Sequence, residues 1–276
     1  MPACLFLSCD KDTGREDVEL VELQVDSCHV CIKFAVHDMI ADTASQVRSL
    51  DLLIYKADGI KELRDKRHYD FLPDSILIYG PREDLVAVAI ANYPQELFSC
   101  PPERFEEAEG LICDFESDSP GRPLMSASCN IEQGEGASLM LIPLMSKVKL
   151  GQISNNQKKY VRLEDPRIYL ENVNASAEIL RLGGFRPAEL LQAPVRAPLP
   201  YDIGIFTQSP GTELFCYPND SAEATIGTPS TVLVLECEIK GETCRFSTSL
   251  PAIRRNTVTY VDISVNGPGD FESKVY

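Results

Sequence analysis

The chain has 276 residues, 44% of them hydrophobic, which is more than one small sandwich needs and fits two domains of ordinary size. Its 42 acidic residues outweigh 26 basic ones, and the formal net charge of −16 argues against nucleic acid as a partner. The sequence has no tryptophan and three histidines, which weakens a tryptophan-walled sugar platform and a histidine-based active site. No apolar run reaches the length of about 20 residues that a membrane-spanning helix needs.

The first nine residues, MPACLFLSC, are typical of the end of a bacterial lipoprotein signal. Apolar residues lead to the small Ser8 and then to Cys9, whose thiol would carry the lipid. No Lys or Arg precedes the run, so we expect the signal to begin upstream of Met1. The alternative is an apolar N-terminus with a chance Ser-Cys pair. Residues 10–17 show no apolar periodicity, and residues 1–17 are predicted to be a signal remnant and tether.

Alternating apolar residues predict strands through most of residues 18–146, the expected N-terminal domain. The stretch SLDLLIYKADGIKEL predicts a hairpin that turns at Asp58-Gly59, and SILIYG and DLVAVAIANY predict two further strands. One helix is predicted over residues 101–109, with Ser99 as its N-cap. The stretch CDFESDSPGRPLMSAS is predicted to be a loop, and SLMLIPLM ends the domain.

Residues 147–276 form the predicted C-terminal domain, again built from short strands. SKVKLGQI, RIYLENVNAS and ELFCYPND are its first strand patterns, and residues 183–200 are too rich in Pro and Gly for regular structure throughout. The final strand is predicted over residues 257–265, and residues 267–276 are expected to be an exposed tail. Together the two halves predict an all-β fold with one short helix.

Residues 231–250 predict a hairpin with a two-residue turn at Lys240-Gly241. This register places Leu235 opposite Phe246, and it places Cys237 opposite Cys244 at a Cα separation of roughly 5.5 Å, within the range of a disulfide. The alternative to a disulfide is a pair of reduced, buried thiols that behave as small apolar groups.

No motif in the sequence indicates a metal, a cofactor or a catalytic site. The pair Cys28 and Cys31 has the spacing of a metal motif, but strand alternation puts the two side chains on opposite faces. No second CxxC or HxxxH completes a zinc set, and GxSxG, GxxxxGK[ST] and HExxH are absent. The sequence therefore predicts no cofactor and marks no catalytic residues, and a hydrolase with scattered carboxylates stays an open alternative.

Several stretches together resemble the fimbrillin family of Bacteroidales fimbriae, also called type V pili, and look closest to its lipoprotein anchor, or minor-subunit, branch. They are LFLSCDKD, VRSLDLLIYKADGIKEL, VAVAIANYP, LIPLMSKVKLGQI, RLEDPRIYLENVNASAEIL, ELFCYPND, STVLVLECEIKG and LPAIRRNTVTYVDISVNGPG. The resemblance implies two transthyretin-like Greek-key β-sandwich domains and no catalysis. It also implies a cell-surface location, with the chain held in the outer membrane by a lipid on Cys9.

The partners that the resemblance implies are other fimbrial subunits, joined by donor-strand exchange, in which an extended C-terminal segment adds a strand to a neighbour. In stalk subunits of the family, cleavage after an Arg first removes an N-terminal strand and opens the groove, and Arg48 is in a position where cleavage would do so. In an anchor subunit the groove stays filled. The alternative function is a surface glycan-binding lipoprotein of a nutrient-uptake system, which would need exposed aromatic platforms.

Overall fold

The computed structural model of the chain describes residues 27–40, 47–81, 83–95, 97, 99–158, 160–222 and 226–276. The first half contains strands β1 (Ser27–Val36), β2 (Leu50–Lys56), β3 (Leu63–Tyr69), β4 (Ser75–Pro81), β5 (Leu85–Ala91), β6 (Ile112–Asp114), β7 (Met125–Ile131) and β8 (Ala137–Pro143). A short helix, α1 (Phe105–Glu109), precedes β6, and one 3-10 turn (Phe115–Ser117) follows it. The second half contains strands β9 (Ser146–Asn155), β10 (Glu164–Glu171), β11 (Ser176–Glu178), β12 (Val195–Pro198), β13 (Glu213–Cys216), β14 (Val232–Ile239), β15 (Glu242–Ser249), β16 (Val258–Gly267) and β17 (Asp270–Val275). The all-β fold with one short helix is therefore confirmed.

Seven strands of the first half form one sheet in the order β3-β2-β5-β7-β8-β1-β4. The sheet folds over itself, because side chains from β1, β4 and β8 share one core with side chains from β2, β5 and β7. The opposite faces of β2 and β5 are also covered, by α1, β6 and residues near β11 and β13. Burial on both faces explains why LDLLIYK and LVAVAIA are nearly continuous apolar runs.

The second half is a sandwich of two four-stranded sheets, in the orders β12-β10-β14-β15 and β13-β9-β16-β17. Inward side chains from both sheets form a single core. In β16 the side chains of Thr259, Val261, Ile263 and Val265 face this core, as their alternation predicts. A small pair, β6 with β11, joins the two halves.

The predicted hairpin of residues 231–250 is confirmed in its register. Leu235 lies opposite Phe246 and Cys237 lies opposite Cys244, in strands β14 and β15. Lys240 and Gly241 have φ angles of +55° and +78°, which are the values that a two-residue type I′ turn requires. The turn chemistry and the apolar face therefore specify the same pairing.

The helix is shorter than predicted. It begins at Phe105 instead of residue 101, and its N-cap is Arg104 instead of Ser99. The preceding backbone is extended because it pairs with the segment before β3: Leu63 N donates to the Glu103 carbonyl oxygen and Phe105 N donates to the Lys61 carbonyl oxygen. This long-range pairing overrides the local N-cap signal.

Two segments predicted to be irregular are strands. The predicted loop after α1 contains β6 and the start of β7. The predicted exposed tail of residues 267–276 turns at Gly269, with φ +74°, and returns along β16 as β17. Phe271 and Val275 pack against the C-terminal core, which gives this end of the chain a reason to fold back.

We propose residues 18–146 and 147–276 as the two domains. The change from the seven-stranded sheet to the C-terminal sandwich falls between β8 and β9, which supports a boundary at that point. The pair of β6 with β11 crosses it, so the halves are tied together by main-chain hydrogen bonds as well as by side chains.

The disulfide between Cys237 and Cys244 remains a prediction. Both residues are free thiols in the structure, buried at 2% and 9% exposure, and burial raises the pKa of Cys237 to about 12. A high thiol pKa slows oxidation, but the directly opposed positions favour closure once an oxidant reaches them. Peptide mapping of the protein from its native envelope, without reductant, should yield one cross-linked peptide. Free thiols at both positions would contradict the disulfide and leave the register intact.

Candidate functional site

The first described strand lies inside the sheet. β1 sits between β4 and β8, although both of these strands come later in the chain. Its first part pairs antiparallel with β4 through Ser27–Lys33, and its last part pairs parallel with β8 through Ile32–Val36. Val30 and Ile32 are buried in the N-terminal core. Removing β1 would therefore open a groove between β4 and β8 with unpaired main chain on both sides and an exposed core.

The chain leaving β1 is clamped by Asn256, which stands just before β16. The Asn256 side chain donates from Nδ2 to the His37 carbonyl oxygen at 2.8 Å and accepts from Met39 N at 2.8 Å. Asn256 has a φ of +55°, a conformation that asparagine tolerates better than most residues. A residue of the second half therefore fixes the exit of β1.

Arg255, beside Asn256, is a buried cation with neutral partners. Its guanidinium donates five hydrogen bonds to residues of both halves of the chain. In the first half the acceptors are the carbonyl oxygens of Ile142 and Pro143 and the Ser126 hydroxyl oxygen. In the second half they are the carbonyl oxygens of Ile179 and Arg181. Only 7% of the residue is exposed, and burial lowers the pKa of Arg255 to about 10. None of these partners is a carboxylate, so the positive charge is stabilised mainly by main-chain dipoles.

Asp118 is a carboxyl group whose charge acts on Arg255. Its Oδ1 accepts hydrogen bonds from Ser119 N and Leu124 N, both at 2.8 Å, and the Tyr217 hydroxyl lies 3.3 Å from Oδ2. Burial raises the pKa of Asp118 to about 6, although these hydrogen bonds and the charge of Arg255 oppose the rise. The junction thus combines a buried cation with a carboxyl group that titrates near neutral pH.

The last strand, β17, is held at the edge of the C-terminal sandwich. Tyr276 exchanges two main-chain hydrogen bonds with Tyr260, and the two rings stack with centroids 5.6 Å apart. The Tyr276 hydroxyl lies 3.3 Å from Asp262 Oδ2, and Asp262 lies over Gly151, where a Cβ would come within 2.3 Å of its Oδ1. β17 therefore covers the edge of β16 and is itself the last strand of that sheet.

The residues predicted as sites have different outcomes. Cys9 lies outside the described residues, and Cys237 and Cys244 are brought together across a hairpin. Arg255 and Asn256 belong to the quoted stretch LPAIRRNTVTYVDISVNGPG, but their roles were missed. The sequence does offer one indication, the polar run Arg254-Arg255-Asn256 between the apolar segment LPAI and the last predicted strand. Such a run predicts a polar contact but does not identify the partners.

Within the described ranges, no group of three His, Cys, Asp or Glu side chains is arranged to hold a metal ion. No helix in that part of the chain has the length and apolar character of a membrane span. The site therefore consists of a strand, β1, that is hydrogen-bonded to a neighbour on each side and held at its exit by Asn256.

No known family model matches the sequence, and no curated protein is similar to it in sequence. The fold is that of fimbrial and cell-adhesion proteins of Bacteroidales. A candidate cell adhesion protein from Parabacteroides distasonis has a TM-score of 0.66 and 13% identity, with 91% of this chain and 96% of that chain covered. The tip fimbrial protein Mfa3 from Porphyromonas gingivalis, with a C-terminal truncation, has a TM-score of 0.63 and 11% identity over 91% of this chain and 98% of that chain. The fimbrial anchor protein Mfa2 from the same organism has a TM-score of 0.52 and 14% identity over 91% and 96%.

At such identities these likenesses establish a shared fold. They extend over both halves of this chain and nearly the whole of each solved structure. The resemblance to the fimbrillin fold that the sequence indicated is thereby confirmed.

The Arg255 contacts yield a stability prediction. Replacing Arg255 with Ala removes all five donated hydrogen bonds and leaves buried carbonyl groups without donors, so the free energy of unfolding should fall by about 3–5 kcal/mol. Arg255→Lys keeps the charge but loses the planar set of donors, and it should give a smaller but clear loss. Denaturant titration measures both. An exposed arginine, Arg167→Ala, serves as the control, and equal stability of the Arg255 and Arg167 variants would contradict the role of Arg255.

Asp118 predicts a pH dependence. Its pKa of about 6 lies above the value of about 3.9 for an unfolded aspartate, so the folded state binds the proton more tightly. Asp118 therefore favours folding below about pH 4, and this contribution is lost as the pH rises through 6. The difference in unfolding free energy between wild type and Asp118→Asn should shift in favour of Asn by on the order of 2–3 kcal/mol between pH 4 and pH 7.5. Asp270→Asn, at an exposed site, should show little shift, and a flat difference for Asp118→Asn would contradict the assignment.

Proposed function

We propose that the protein is a lipid-anchored fimbrial subunit, the anchor or minor subunit of a Bacteroidales fimbria, and that it acts without catalysis. The single observation that carries this proposal is the inserted position of β1 between β4 and β8. β1 comes first in the chain but lies between two strands that come later. Its removal would leave a groove for one strand, and donor-strand exchange requires a groove that a neighbour's segment can fill.

The clamp on β1 supports an anchor role over a stalk role. Asn256 bonds the main chain at His37 and Met39, so β1 is held at its exit as well as along its length. Arg48 is exposed just before β2, where cleavage would separate β1 from the rest of the chain. In an anchor subunit the peptide bond after Arg48 stays intact. β1 then fills the groove of its own subunit, and the lipid on Cys9 remains connected to the folded domains.

The C-terminal strand is the segment that would be donated. β17 is paired with β16, so donation requires it to leave that edge and to give up the Phe271 and Val275 contacts with the core. A neighbour with an empty groove between its β4 and β8 would offer main-chain hydrogen bonds on both sides of the strand, together with a buried apolar face. β17 pairs on one side only in its own subunit, so the added main-chain pairing favours the intermolecular exchange.

The lipid anchor is tested by replacing Cys9 with Ala in the gene at its native locus. The variant should leave the outer-membrane fraction and appear in the soluble or secreted fraction, because the acyl chains of a lipoprotein supply the membrane affinity. Cys100→Ala, at an exposed cysteine, is the matched control and should stay in the membrane. Retention of the Cys9 variant in the outer membrane would contradict the anchor.

N-terminal sequencing of the subunit from isolated fimbriae separates the anchor from a stalk. A lipidated mature terminus at Cys9 supports a retained β1, whereas a terminus at residue 49 would identify a subunit that has lost β1. Absence of the protein from fimbriae that assemble normally without it would contradict the whole proposal.

A further inference from the structure

A groove opens at the seam between the two halves of the chain. This seam groove is lined by residues 114–117, Ala175 and residues 189–195, and its volume is about 710 Å³. Ala175 N donates to the Glu189 carbonyl oxygen at 3.1 Å, and the Ala175 carbonyl oxygen accepts from Phe115 N at 2.8 Å. One wall therefore follows β6 and the other precedes β12. A cleft of this size between domains is where ligands and partners commonly bind.

The seam groove has apolar walls and an acidic rim. Phe115 packs against the core between β5 and α1, and Leu191 packs against the core of the C-terminal sandwich. Asp114 and Glu116 stand on one wall and Glu189 stands on the other, and all three are exposed. No Lys, Arg or His lines the groove, and none of the three carboxylates forms an ion pair with any residue that the structure describes.

The chemistry of the groove defines its occupant. The three carboxylates are not arranged to hold one metal ion, since the described ranges contain no such group of three. They lie on opposite walls, so the groups that neutralise them are separate cations. The apolar walls between them require an apolar group. A matching occupant therefore carries an apolar side chain flanked by cations, and such complementarity sets the choice of partner.

The chain itself carries this set of side chains on the connection between β9 and β10. Lys158 and Arg162 are exposed, and neither forms an ion pair within the described part of the chain. Tyr160 stands between them, 81% exposed, with a φ of +54° that is uncommon for a bulky residue. Asn155 Nδ2 donates to the Val161 carbonyl oxygen at 2.7 Å and fixes the base of the connection.

One molecule cannot bring these two surfaces together. The connection precedes β10 (Glu164–Glu171), whereas Ala175 follows that strand, so the length of the strand, about 26 Å, separates them. Two copies can do so in a head-to-tail contact, in which the connection of one copy enters the seam groove of the next. Such a contact is heterologous, and it repeats from copy to copy unless the rotation between copies closes a ring.

We infer that the seam groove binds a second copy of this chain, whose Tyr160 enters between the apolar walls while Lys158 and Arg162 meet the carboxylates on either side. The contact of one connection with one groove is small, so the association is weak and depends on concentration. The attraction between the charges is screened by salt, so the association weakens as the ionic strength rises. The contact involves neither Cys9 nor the groove that β1 fills, and it therefore stands apart from the proposed function.

The first test neutralises the rim of the groove. The groove variant combines three substitutions: Asp114→Asn, Glu116→Gln and Glu189→Gln. The control variant makes the same change in charge at exposed carboxylates elsewhere: Glu135→Gln, Glu242→Gln and Asp270→Asn. Both variants are less negative than wild type, so general charge repulsion between copies falls equally in both. In sedimentation velocity with reductant present, wild type and control should associate, and the dissociation constant of the groove variant should be at least about tenfold higher.

The second test distinguishes a head-to-tail contact from other modes of association. The connection variant, Lys158→Gln with Arg162→Gln, should be a monomer, as should the groove variant. A mixture of the two variants offers one intact groove and one intact connection to each pair. It should therefore form one-to-one dimers and no longer species, whereas wild type forms longer ones. Thermal unfolding of each purified variant checks that it is folded.

The outcomes are distinct from those of the fimbrial tests. Wild-type protein that stays monomeric at every concentration would overturn the inference and leave the proposed function intact. Association of the groove variant with the wild-type constant would overturn it as well. A mixture of the two variants that stays monomeric, or that forms the same species as wild type, would exclude the head-to-tail contact. Loss of the lipid anchor assignment at Cys9 would leave the contact between copies unaffected.

Discussion

The buried guanidinium of Arg255 is the interaction on which the arrangement of the two halves depends. A cation removed from water is costly unless its donors are all used, and here four carbonyl oxygens and one hydroxyl accept them. The acceptors come from the end of β8, from the start of β7 and from the segment after β11. A shift of either half would break several of these bonds while the charge stayed buried, so the junction has one favourable geometry.

Asn256 extends this constraint to the first strand. Arg255 fixes the position of the chain before β16, and the next residue bonds to the main chain that leaves β1. The retention of β1 in its groove therefore depends on the folding of the C-terminal sandwich and on the polar junction between the halves. Displacing β1 would therefore break the Asn256 bonds beyond its C-terminal end as well as its pairing with β4 and β8.

Local signals predicted the parts of the fold that local chemistry specifies. The β14–β15 register followed from a two-residue turn and one apolar face, and β2 and β5 were recognised as strands from their continuous apolar runs. The pairing of β6 with β11 joins segments about sixty residues apart, and neither carries a pattern long enough to be read as a strand. The late start of α1 has the same cause, since residues 103–105 pair with the chain before β3.

The candidate site was less predictable because main-chain groups form most of it. The acceptors of Arg255 are carbonyl oxygens, which every residue has, so the sequence carries no mark of them. The same holds for β17, whose pairing is seen only once Phe271 and Val275 are placed on the core. What the sequence does record is charge. β17 carries Asp270, Glu272 and Lys274 on its exposed side, and β3 is charged along most of its length, whereas β4 is neutral. Charged side chains of this kind keep a sheet edge from pairing with another chain, and at β4 the guanidinium groups of Arg64 and Arg67 from β3 lie over the edge instead.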